Sequence, residues 1–144
     1  RQGCPPAASP PRGGKRHKIA HILIADDTDA IRAMLRDFLE AKGHRVLEAV
    51  DGAQAFTLAE KEHPHLIIMD VVMPGLYGST ALHLLKEYPA TRGIPVLIMS
   101  GSVDQPLRIG IEERAGLRFM RKPLDLDSLD KVIREMLPEG GYTP

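Results

Sequence analysis

Three stretches of the chain are apolar on successive residues: Ile22-Leu23-Ile24-Ala25, Leu66-Ile67-Ile68-Met69 and Val96-Leu97-Ile98-Met99. Such runs suit strands buried on both faces, as in parallel sheets covered by helices. Leu117 to Arg121 reads as another strand, and Arg45 to Ala49 as a weaker one before Asp51-Gly52. Between the runs the period changes. Ile31, Leu35, Phe38 and Leu39, with Met34 beside them, line one helical face, and Gly43 follows where a left-handed cap would end the helix. Ala55, Phe56 and Ala59 mark a second helix ending before Pro64, and Leu82, Leu84 and Leu85 a third stopped by Pro89. A fourth helix, interrupted by or adjoining Pro106 and Gly110, is expected to be short or mobile, since glycine costs roughly 1 kcal/mol in a helix interior. The last carries Leu126, Leu129, Val132, Ile133 and Met136 on one stripe, with Asp125 as N-cap and Pro138 beyond. Five strands alternating with five helices predict an α/β sheet covered on both faces.

Residues 1–17 lack this periodicity and are rich in Pro, Gly and Ala, as a disordered leader or linker would be. The folded domain is expected over 18–138, followed by a flexible tail, 139–144. The 144 residues suit one domain with a real core. Nineteen Lys and Arg balance nineteen Asp and Glu, but Arg1, Arg12, Lys15, Arg16 and Lys18 lie together without an acid, so the remainder is net acidic. With no aromatic residue to stack on bases, the basic leader reads as a solvated linker, and no nucleic acid is expected as a partner. Cys4, the one cysteine, can form neither an internal disulfide nor a metal site. No apolar run approaches the roughly 20 residues that span a bilayer, and no secretory segment is present, so a cytoplasmic protein without membrane contact is expected.

The polar residues that end the strands carry the chemistry. Strand one runs into Asp26-Asp27, strand three into Asp70, strand four into Ser100 and strand five into Lys122-Pro123. In parallel α/β sheets ligands bind beyond the carboxyl ends of the strands, at a switch in strand order. Two carboxylates about 4 Å apart repel by about 4 kcal/mol at an effective dielectric near 20, so the cluster calls for a cation. Mg²⁺, hard and oxygen-seeking, fits, with Mn²⁺ as an alternative, and Lys122 adds a further positive charge. Helix capping by Asp26, Asp27 and Asp29 would account for one aspartate but not for four coordinated strand ends. An aspartate between a metal and a lysine can attack phosphorus and form an acyl phosphate.

In order and spacing, Ile24-Ala25-Asp26-Asp27, Met69-Asp70-Val71-Val72-Met73-Pro74-Gly75, Gly78, Met99-Ser100-Gly101 and Arg121-Lys122-Pro123 resemble the receiver domain of a two-component response regulator. The resemblance spans about residues 18–137. It implies a flavodoxin-like (βα)5 fold with parallel strand order 2-1-3-4-5, of the chemotaxis-receiver type. It also implies Asp70 as phosphoacceptor, and Asp26 and Asp27, with the Val72 backbone carbonyl, as Mg²⁺ ligands beside it. Ser100 matches the switch hydroxyl, more often Thr in the family, Lys122 the phosphate-sensing lysine, and Phe119 the switch aromatic, which is equally a core ring of strand five. Val72 and Ser102 match positions that tune phosphoryl lifetime; apolar Val72 cannot orient a water, so a persistent phosphoaspartate is expected.

The implied function is a phosphorelay switch rather than a turnover enzyme. A histidine kinase or histidine phosphotransfer protein would donate the phosphoryl group. The face of the fourth helix, fifth strand and last helix would then meet an effector, with the domain a monomer or a phosphorylation-dependent homodimer. An alternative is a receiver module of a hybrid kinase or other multidomain protein. A haloacid-dehalogenase-like phosphatase is more remote, because the second aspartate of that pattern falls at Val72. A nucleotide or flavin carrier would need a Gly-rich phosphate loop where Asp26-Asp27-Thr28-Asp29 stands.

Overall fold

Aliphatic side chains on consecutive positions have to be buried on both sides of a strand, and the computed structural model shows how. It describes residues 19–70, 78–100 and 116–137, with side chains throughout except at 78–80 and 100. Strands β1 (His21–Ala25), β2 (Arg45–Ala49), β3 (Leu66–Asp70), β4 (Val96–Ser100) and β5 (Leu117–Arg121) form one sheet, ordered β2-β1-β3-β4-β5. All four neighbouring pairs are parallel. This is the flavodoxin-like topology expected. The described helices are α1 (Asp29–Ala41), α2 (Gly52–Glu62), α3 (Gly78–Glu87) and α4 (Leu126–Met136). The helix expected around Pro106 and Gly110, like the leader and the tail, lies outside the described residues.

Alternation along each strand divides the core in two. Leu23, Ala25, Ile67, Met69, Val96 and Ile98 meet the small residues Ala55, Ala59 and Ala81 and the leucines Leu82 and Leu85 of α2 and α3. Ile22, Ile24, Leu66, Ile68, Leu97 and Met99 face Leu35 and Leu39 of α1 and Leu129 and Ile133 of α4. β2, at the sheet edge, is buried fully only at Ala49, which explains why its apolar pattern is weak.

The helix ends follow local rules. Gly43 has φ +94° and donates its N–H to Glu40 O at 2.9 Å, closing α1 in a conformation that strains any residue with a Cβ. Met34, placed beside the apolar stripe of α1, is 40% exposed and stands at its margin. Asp51 caps α2 by accepting from the Gln54 N–H, while Gln54 Oε1 accepts from the Val50 N–H, each at 2.8 Å. Asp125 caps α4, accepting from the Ser128 N–H at 3.0 Å and its hydroxyl at 2.7 Å. This carboxyl is held below its usual range by the Ser128 hydroxyl and then the Ser128 N–H.

At the amino-terminal ends of the strands, two imidazoles pin the start of β1. The Ala20 N–H donates to His44 Nδ1 at 3.0 Å and the His21 N–H to His65 Nδ1 at 2.9 Å. Accepting at Nδ1 requires each ring to be neutral with its proton on Nε2. Burial, and then the neighbouring His21, push the pKa of His65 down; burial and then Arg45 do the same to His21, opposed by Glu62.

Candidate functional site

The strand order reverses between β1 and β3, which are neighbours although β2 intervenes in sequence. That reversal opens a crevice at the carboxyl edge, where Asp70 closes β3 and Asp26-Asp27 follow β1. Asp26 is fully buried and Asp70 is 7% exposed, while Asp27 is exposed. One carboxylate oxygen from each of the three lies within 4.8 Å of the others.

Lys122 follows β5, two strands from β3 and three from β1, and its flexible four-carbon stem reaches across. Its Nζ donates to Asp26 Oδ2 and to Asp70 Oδ2, both at 3.2 Å. Burial alone would lower the Lys122 pKa, but the charges of Asp70 and Asp26 outweigh it and hold the ammonium above the ordinary lysine value. Thus Asp26, Asp27, Asp70 and Lys122, scattered along the sequence, form one cluster.

The aspartates of the β1–α1 turn have distinct tasks. The N-cap of α1 is Thr28, whose side chain makes no capping bond. Asp26 Oδ1 accepts from the Thr28 N–H at 2.8 Å, in an Asx turn that bends the chain into α1. Asp26 is therefore held by the turn at one oxygen and by Lys122 at the other. Asp29 pairs with Arg32. Capping of α1 by aspartate thus does not explain the cluster.

Sequence reasoning missed Arg32 and Glu48. Arg32 Nη1 donates to Asp26 O at 2.7 Å and Nε to Glu48 Oε1 at 3.2 Å, while Arg36 Nη1 holds Glu48 Oε2 at 3.0 Å. No local pattern singles Arg32 out, because a charged residue on the polar face of an amphipathic helix is ordinarily solvated.

Phe119 is half-buried in β5, beside Ile98 in register, and packs against the core under α2 and α3. The Ser100 backbone ends β4, whereas its side chain, Val72 and Ser102 lie outside the described residues.

Octahedral Mg²⁺ with oxygens at about 2.1 Å spaces adjacent ligands about 3.0 Å apart and opposite ones about 4.2 Å apart. Three carboxylate oxygens within 4.8 Å of one another fit such an ion, and their all-oxygen chemistry fits its hardness. Fold and site together define a doubly wound α/β domain with an acidic, lysine-bridged crevice, the class suited to phosphoryl and divalent-cation chemistry.

Comparison with known proteins narrows the class. The model of the response regulator receiver domain matches residues 22–134, and the chain belongs to that family. It is 34% identical over 119 residues to Protein PilH of Pseudomonas aeruginosa, covering 83% of this chain and 98% of PilH. It is 37% identical over 117 residues to the response regulator PleD of Caulobacter vibrioides, but there covers 81% of this chain and 26% of PleD. The solved structure of the chemotaxis response regulator CheY4 of Vibrio cholerae superposes with a TM-score of 0.72 at 26% identity, covering 83% and 99% of the two chains. Phosphorylation switching, Mg²⁺ binding in an acidic pocket and dealings with histidine kinases or phosphotransfer proteins are general to receiver domains. Among the described residues no helix is long and apolar enough to cross a membrane.

Proposed function

We propose that this domain is a switch in which Asp70 receives a phosphoryl group from a phosphohistidine on a histidine kinase or phosphotransfer protein. The observation that carries the reading is the Lys122 ammonium, 3.2 Å from the carboxylates of both Asp26 and Asp70 at the strand-order reversal, with Asp27 alongside. In the transfer the donor's P–N bond breaks as a P–O bond to Asp70 forms, and the departing imidazole nitrogen keeps the electron pair. Mg²⁺, or Mn²⁺ in its place, held by Asp26, Asp27 and Asp70, with the Val72 carbonyl as the resemblance implies, supplies positive charge to the phosphoryl oxygens.

Lys122 does for the phosphoryl group what it already does for the carboxylates, offering a charge-assisted donor. Each such bond is worth about 1.5 to 3 kcal/mol. Together with Ser100, Lys122 thus contributes much of the roughly 5.5 kcal/mol that reverses a 1:99 equilibrium. Phe119 lies half-buried on β5 against the core under α2 and α3, where a change of rotamer would alter the surface offered to an effector. The product stays on the protein, so the domain is a switch and not a turnover enzyme. A second reading, a receiver module of a larger signalling protein, is favoured by the match to 26% of PleD.

Incubation with acetyl phosphate and Mg²⁺ tests the reading. Labelling at one phosphoryl group per chain, lost in Asp70→Asn, is expected. Persistent labelling at another residue would refute the assignment of Asp70, and continuous phosphate release from small phosphoesters would favour the phosphatase.

A further inference from the structure

Asp26 is held at every polar atom that orients it. Its N–H donates to Ala49 O at 3.1 Å, and its two carboxylate oxygens accept from Thr28 and Lys122. Its carbonyl accepts from Arg32 Nη1 at 2.7 Å. That carbonyl belongs to the planar peptide joining Asp26 to Asp27, so fixing it fixes the plane in which the Asp27 N and Cα lie. Asp27 is the exposed carboxylate of the cluster, and the placement of its Cα is what the backbone contributes to its aim.

Arg32 is well placed to do this. Its side chain is 12% exposed, and its guanidinium joins three backbone segments: the Asp26 carbonyl, Asp29 in the first turn of α1, and Glu48 on β2. Glu48 is itself held by Arg36, so the guanidinium is braced against the sheet. A planar fork suits this geometry in a way that a lysine's point charge does not.

We propose that Arg32 is a positioning residue for the cation site: by gripping the Asp26 carbonyl it fixes the Asp26–Asp27 peptide and so places the Cα from which the Asp27 carboxylate meets the ion. The proposal rests on the reading that Asp26, Asp27 and Asp70 hold Mg²⁺. It makes a prediction opposite in sign to that of simple charge. A guanidinium beside an anionic site repels an incoming cation, so if its charge were all that mattered, removing it would tighten Mg²⁺ binding. A lost support weakens it instead, by about 10-fold where the partners of metal ligands have been removed in other proteins.

The test is calorimetric titration of the unphosphorylated protein with MgCl₂, with folding of each variant checked by far-UV circular dichroism. Arg32→Gln is expected to raise the Kd for Mg²⁺ about 10-fold. Arg32→Lys keeps the charge without the fork and is expected to raise it by a smaller factor. Should Arg32→Gln fail to fold, Arg32→Lys decides by the same titration. An unchanged or lower Kd in a folded variant overturns the proposal. Asp27→Asn separates the two ideas: if it leaves Mg²⁺ binding intact, the metal reading itself fails. If it weakens binding while both Arg32 variants do not, only the role of Arg32 fails.

Discussion

Replacing Lys122 with Met removes the charge that bridges Asp26 and Asp70 while keeping most of the stem's volume. Each 3.2 Å contact is worth about 5 kcal/mol of Coulomb attraction at an effective dielectric near 20. Against that stand the desolvation of the ammonium, whose side chain is 21% exposed, and the mutual repulsion of the carboxylates. At the 4.8 Å limit of the cluster that repulsion is about 3.5 kcal/mol on the same scale. Removing one partner of a buried pair costs about 3 to 5 kcal/mol, and partial exposure puts Lys122 at the low end. Lys122→Met is therefore expected to destabilise the metal-free domain by about 3 kcal/mol. Mg²⁺ at 100 times its Kd stabilises the native state by about 2.7 kcal/mol. Loss of the competing ammonium should tighten Mg²⁺ binding, and each tenfold gain lets saturating Mg²⁺ recover about a further 1.4 kcal/mol in the variant. The assay is urea unfolding at pH 7 in EDTA and in MgCl₂, with equal m-values as the check on two-state behaviour. A loss below about 1 kcal/mol in EDTA, or a loss that Mg²⁺ does not narrow, would refute the reasoning. The wild-type pairing has its own pH signature. Because the Lys122 pKa is raised on folding, its stabilisation is complete below the unfolded lysine value near 10.4 and disappears as pH rises through the folded one.

Two further outcomes follow from the fold. His65 and His21 have pKa values lowered on folding, so the unfolded chain binds more protons; their contribution is complete above about pH 6.5 and is lost as pH falls through the folded values. His65→Asn, whose Oδ1 can accept the His21 N–H without titrating, should flatten the fall in stability between pH 7 and 5, measured by urea midpoints; an unaltered slope rules the ring out as its source. Asp51→Ala removes the N-cap of α2 and should cost about 1 kcal/mol in thermal or urea unfolding, and a neutral result would show that Gln54 alone sustains the turn.

Much of the fold was legible because the code for it is local. The unbroken aliphatic runs of β1, β3 and β4 announced strands covered on both faces, and Gly43 and Asp125 marked helix ends by conformational and capping chemistry that involves only near neighbours. The strand ends likewise named Asp26, Asp27, Asp70 and Lys122 as chemistry-bearing residues. Arg32 was not legible in the same way. As a charged residue of an amphipathic helix it looks like any solvated side chain until its partners Asp26 and Glu48, 6 and 16 positions away, are seen beside it.

The sequence by itself determined the elements, their caps and the kinds of side chain at the carboxyl edge, since periods of 2 and 3.6 and the chemistry of turns act over a few residues. Only the tertiary structure decided how those side chains are used. It brought Lys122 to Asp26 and Asp70 across separations of 96 and 52 residues, buried Asp26 while leaving Asp27 exposed, and set Arg32 under the peptide between them. The reason is that these distances depend on the order of strands in the sheet and on which helices cover each face, and no local pattern encodes a distance between strands.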